Sequence, residues 1–109
     1  MTTTLLCMGQ SAPAATTQTT LYTVPSSTTA IVSSIVVSNN SATSDKFRIA
    51  VQVGGAGLSA KQYLYYGTSI AGNDTFIATV GLTLSATDVI SVYSTNGTLA
   101  FQIFGQQNS

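Results

Sequence analysis

The chain has no histidine and a single cysteine, and only 6% of its 109 residues are charged. Without histidine, Ser-His and Cys-His nucleophile systems and every histidine-bearing metal site are excluded. One cysteine cannot make an internal disulfide, and Cys7 reads as a small buried hydrophobe. Leu5-Leu6 before it do not complete a lipoprotein pattern, because a small residue is missing ahead of the cysteine. No basic residue precedes it, so a secretory signal is not indicated. No apolar run approaches the length of a membrane span. The expectation is a chain made and used in a cytoplasm, or one that leaves it by cell lysis.

The charges can be named in full: Asp45, Lys46, Arg48, Lys61, Asp74 and Asp88, with a formal net charge of zero. An ordinary domain carries about 25% charged residues. Nothing here would steer a phosphate backbone or an anionic lipid surface, so neither nucleic acid nor membrane is an expected partner. So few charges also leave little repulsion between copies, which suits an assembly and favours a homo-oligomer.

Serine and threonine supply most of the polarity, beside 44% apolar residues. That apolar share, with its many β-branched residues, argues against a disordered stalk. The length sets one domain, enough to bury roughly two-thirds of the unfolded surface. Residues 1–20 lack clean periodicity and read as an extended N-terminal arm packed on its own domain or on a neighbour, with Leu5, Leu6 and Met8 as anchors, most simply on a neighbouring subunit. From Leu21 the signal is β: "TLYTV", "TAIVSSIVVS", "KFRIAVQV", "KQYLYY" and "TFIATVGLTL", separated by turn clusters, with Gly81 placed at a bulge. In "KFRIAVQV", Phe47, Ile49, Val51 and Val53 take one face and Lys46, Arg48, Ala50 and Gln52 the other. "DVISVYSTNGTLAFQIFG" reads as a hairpin about Asn96-Gly97, pairing Val92 with Phe101 and Ile90 with Ile103. The fold class expected is all-β: a single antiparallel sandwich, jelly-roll or immunoglobulin-like, over 21–105. Residues 106–109 are left as a C-terminal tail.

Candidate chemistry is sparse. Asp45, Asp74 and Asp88 all sit in turn contexts ("TSDK", "GNDT", "ATDV"), where an Asp side chain accepts backbone N–H groups. They read as turn residues that Asn could replace, rather than a carboxylate pair or calcium ligands. "GGAG" leads into a strand and lacks a following Lys-Ser/Thr, so it makes no phosphate loop. The three Asn-x-Ser/Thr sequons, at Asn39, Asn73 and Asn96, read as turns. No catalytic residue, cofactor or metal is expected. Alternation in "KQYLYYG" puts Tyr63 and Tyr65 on one face with Lys61, as sheet packing or as a contact surface.

The cues "TLYTVP…TTAIVSSIVVSN", the alternating strand after them, and "AGNDT…GLTLSATDVISVYS" resemble small virion structural proteins of tailed bacteriophages, cyanophage examples among them. The resemblance covers about residues 19–105; related chains often carry a cysteine where this one has Ser38. It implies a non-enzymatic β-sandwich that decorates or cements the head, with the major capsid protein as partner and the virion as location. It is compatible also with a tail, neck, baseplate or fibre component whose partners are tail subunits, and less so with a carbohydrate-binding attachment module.

Overall fold

Eight strands carry the chain through the computed structural model, which describes residues 2–109. They are β1 (Thr3–Ser11), β2 (Thr19–Thr23), β3 (Thr29–Asn39), β4 (Asp45–Gln52), β5 (Tyr63–Ile70), β6 (Thr75–Leu84), β7 (Val89–Ser94) and β8 (Leu99–Asn108). Two short 3₁₀ turns, Val53–Gly55 and Ala60–Gln62, lie between β4 and β5. The strands form two four-stranded antiparallel sheets, ordered β1-β8-β3-β6 and β2-β7-β4-β5. This interleaved order, in an eight-stranded double sheet, is that of a jelly roll. The immunoglobulin-like alternative does not apply, since it would place the strands in a different order.

Alternation explains the core. Ile35, Val37, Phe101 and Ile103 of the first sheet and Phe47, Ile49, Ile90 and Val92 of the second are fully buried. Side chains of period two put each of these sets on one face, and the two faces meet as the dry interior of the sandwich. Phe47 sits at the aromatic centre, with ring centroids 5.2 Å from Phe76, 5.9 Å from Tyr65 and 6.2 Å from Phe101.

The hairpin reading of the last two strands is corrected. β7 lies between β2 and β4, and β8 between β1 and β3, so the "STNGT" connection crosses from one sheet to the other. Val92 and Phe101 both point inward as expected, but from opposite sheets. Alternation cannot separate the two cases: a hairpin and an inter-sheet arch bury the same residues. Pairing decides it, and β3 occupies β8 from Thr29↔Asn108 to Asn39↔Leu99.

The arm and the tail are corrected together. Residues 3–11 form β1, an integral edge strand registered from Thr3↔Asn108 to Ser11↔Phe101. Residues 106–108 belong to β8, and the backbones of Thr2 and Ser109 exchange hydrogen bonds of 2.6 and 2.9 Å. The register of β1 shifts between Cys7 and Gly9. That bulge breaks the alternation that would have advertised a strand. Gly9 is there for space: a Cβ would stand 2.4 Å from the Leu21 carbonyl oxygen. At Gly81 the expected bulge is present, since Val32 faces Leu82 while Ser34 faces Thr79.

Candidate interaction surfaces

Leu6 and Met8, expected as anchors on a neighbour, pack instead within their own domain: Met8 is buried and Leu6 lies against the core. Leu5 alone of that patch stays outside, 78% exposed. Cys7, expected to be buried, is exposed on the outer face, its thiol turned towards the Gly9 carbonyl.

Cross-strand register then assembles the outer face of the β1-β8-β3-β6 sheet. One row runs Leu5–Gln106–Ile31–Thr83, the next Cys7–Phe104–Ser34–Thr79, and a third Gln10–Gln102–Val36–Ile77. Ile77 is 64% and Phe104 36% exposed. No residue of these rows is charged. The two edges of the sheet, β1 and β6, are also free of charge and proline, the devices that usually discourage edge pairing.

The outer face of the β2-β7-β4-β5 sheet is built differently. Two bulges in β5, at Leu64 and Gly67, reset the phase of the tyrosines. Tyr65 turns inward onto Phe47 and Phe76. Tyr63 and Tyr66 turn outward, and their rings meet edge to face at 4.8 Å. Tyr63 and Tyr65 therefore do not share a face, which corrects simple alternation. Arg48 is opposite Tyr66 on one side and Tyr93 on the other. Its guanidinium carbon stands 4.3 and 4.2 Å from their ring centroids, within cation–π range of both. Beside Tyr63 and Tyr66 an open groove of about 500 Å³ is completed by Leu58, Ser59 and Ala60. The Gln62 side chain holds this loop, accepting from the Ser59 amide and donating to the Gly57 carbonyl, each at 2.9 Å.

The three carboxylates are occupied elsewhere. Asp45 Oδ1 accepts from the amides of Lys46 (2.7 Å) and Asn96 (3.0 Å), and Oδ2 from the hydroxyls of Ser94 (2.6 Å) and Thr98 (3.2 Å). This knot fastens the start of β4 to the β7–β8 crossing. Burial opposes ionisation of Asp45, but the donors from Ser94, Lys46, Asn96 and Thr98 outweigh it and hold the carboxyl below its ordinary value. Asp88 accepts from the amides of Gly54 and Ser85, and Asp74 from that of Thr75. All three accept backbone amides, as their sequence contexts indicated, but buried Asp45 also takes the Ser94 and Thr98 hydroxyls, so the expectation that Asn could replace each of them is corrected for Asp45. Asn39, at the end of β3, is not a surface turn: it is buried, donates to the Thr43 carbonyl, accepts from the Ser41 amide and shares the one Thr98 hydroxyl proton with Asp45. Among the described residues no group of three or more Cys or Asp side chains gathers as a metal site would require.

Comparison with family models, with curated proteins and with solved structures finds no match for this chain. Its surfaces are therefore interpreted from their own chemistry.

Proposed function

We propose that this protein is a non-enzymatic structural subunit of a virus particle, a decoration or cement protein seated on the head exterior and bridging neighbouring capsid subunits. The observation that carries the reading is the charge-free outer face of the β1-β8-β3-β6 sheet, which exposes Leu5, Ile77 and Phe104 on a rigid sheet. An uncharged face has no ions to desolvate when it is covered, and its apolar side chains gain by burial at about 25 cal/mol per Å². Its size is adequate. Four strands about 4.8 Å apart and some ten residues long give roughly 600–700 Å² per subunit, so covering it would bury about 1,200–1,400 Å² in total, a normal interface. The jelly roll, recurrent in viral capsid and lectin domains, supports the reading by analogy of fold. The cues in residues 19–105 read above as resembling phage virion proteins agree with it.

The test is stoichiometry in purified particles, by quantitative mass spectrometry against the major capsid protein. Hundreds of copies per particle agree with a head decoration role. Tens or fewer would move the protein to the tail or fibre, and absence from particles would end the virion reading.

A further inference from the structure

We infer that the outer face of the β2-β7-β4-β5 sheet is a second, separate docking site, which takes an acidic protein segment through the Tyr93–Arg48–Tyr66 ladder. The first observation is the state of Arg48. Its guanidinium carbon lies 4.3 and 4.2 Å from the centroids of two tyrosine rings on the flanking strands, and among the described residues its N–H groups have no hydrogen-bond partner. A guanidinium restrained between two aromatic rings with its donors free offers a fork to a carboxylate, and part of the ordering of its long side chain precedes the ligand.

The second observation is charge. Lys46 lies on the same face of β4 as Arg48, and no carboxylate stands on the outer positions of the four strands. The acids that make the chain neutral are turned into their own turns: Asp45 and Asp88 are buried there and Asp74 caps the Thr75 amide. The neutral formula thus hides a face with unbalanced positive charge, and complementarity calls for an acidic partner.

The third is composition. Tyrosine and arginine dominate the energetics of protein–protein contacts. Here three tyrosines and one arginine stand side by side, next to the groove at Leu58 and Ser59, which offers a slot for a neighbouring side chain. A protein segment uses all of these; a free inorganic anion would use Arg48 alone. This inference does not rest on the virion reading, because it can be measured on the isolated chain.

The experiment is titration of the full chain with a hexaglutamate peptide, followed by backbone amide shifts, in parallel with hexaglutamine and tetragalacturonate. The expected result is saturable binding of hexaglutamate, with shifts centred on Arg48, Tyr66 and Tyr93 and affinity falling as salt rises. Arg48→Lys keeps the charge but loses the fork, and should weaken binding about tenfold or more. Tyr66→Ala, at a residue 64% exposed and so compatible with folding, should weaken it comparably. Equal affinity for hexaglutamine, or an Arg48→Lys chain that binds as well as the original, would overturn the proposal. Preference for tetragalacturonate over hexaglutamate would overturn the protein partner in favour of an acidic saccharide.

Discussion

The two outer faces of this sandwich stand on one core and share one backbone architecture, yet their chemistry is nearly opposite. The β1-β8-β3-β6 face has no charge and presents Leu5, Ile77 and Phe104 among hydroxyl and amide side chains. The β2-β7-β4-β5 face carries Lys46 and the stacked Arg48, with tyrosines around them. The difference teaches that a low total charge is no measure of a featureless surface. It arises because the acids are consumed as turn acceptors, while the β4 cations stay on a sheet. Edges follow the same division. β2 is short and followed by Pro25, and β5 is twice bulged, whereas β1 and β6 are longer, without charge or proline, and bulged once each. Edge pairing is therefore discouraged more strongly on one sheet than on the other.

The largest expected effect would remove the support common to both faces. Deleting residues 2–11 strips β1 from β8 and exposes the core beside Leu6 and Met8, so circular dichroism should show loss of cooperative unfolding. A truncated chain that melts like the full one would return these residues to the status of an arm. Next, Phe101→Ala empties a fully buried site facing Phe47 and should cost about 3–5 kcal/mol in denaturant unfolding. Both faces should weaken together, since neither has its own core.

Asp45 sharpens the comparison from the side of charge. Its two oxygens receive four donors, and an Asn would turn an NH₂ group towards two of them. Asp45→Asn should cost about 1–3 kcal/mol, whereas Asp74→Asn, which loses little at an exposed turn, should stay within about 0.5 kcal/mol. The acid dependence has a definite sign. The folded carboxyl titrates below its ordinary value, so the native state binds fewer protons than the unfolded one. The stability that Asp45 contributes is whole above its unfolded value of about 3.9 and is lost as pH falls through the folded one. Urea unfolding between pH 6 and 2 should show that decline in the original chain and a shallower one in Asp45→Asn.

Much of this was legible in the residues. Alternation in "KFRIAVQV" and "AFQIF" named Phe47, Ile49, Phe101 and Ile103 as inward, because burial on a sheet follows period two; Val53, expected on the same face, instead leaves the strand for a 3₁₀ turn and is 71% exposed. The turn role of the aspartates was readable from their neighbours. What alternation could not carry was pairing. Val92 and Phe101 would point inward in a hairpin or an arch alike, and only the distant β3 settles which. The bulges at Leu64 and Gly67 shifted the tyrosine phase by single residues, which no local pattern announces. Arg48 was assignable to the outer face of β4, but its clamp needs Tyr66 and Tyr93 from two other strands. For β1, the run "TTLLCMGQS" has only Leu6 and Met8 to turn inward, with a bulge between Cys7 and Gly9 that hides their phase.

The smallest expected change in stability belongs to the variant that tests the account most directly. Leu5→Lys combined with Ile77→Lys puts two charges on the charge-free face, at positions 78% and 64% exposed. Such surface changes should alter unfolding by no more than about 0.5 kcal/mol each. The measurement is the occupancy of this double variant on particles assembled without the original chain, counted against the major capsid protein. The account predicts a folded protein whose occupancy falls at least tenfold, because two desolvated ammonium groups would have to enter the contact. Occupancy equal to that of the original chain would contradict it, and would show that the charge-free face is not the one by which the protein is mounted.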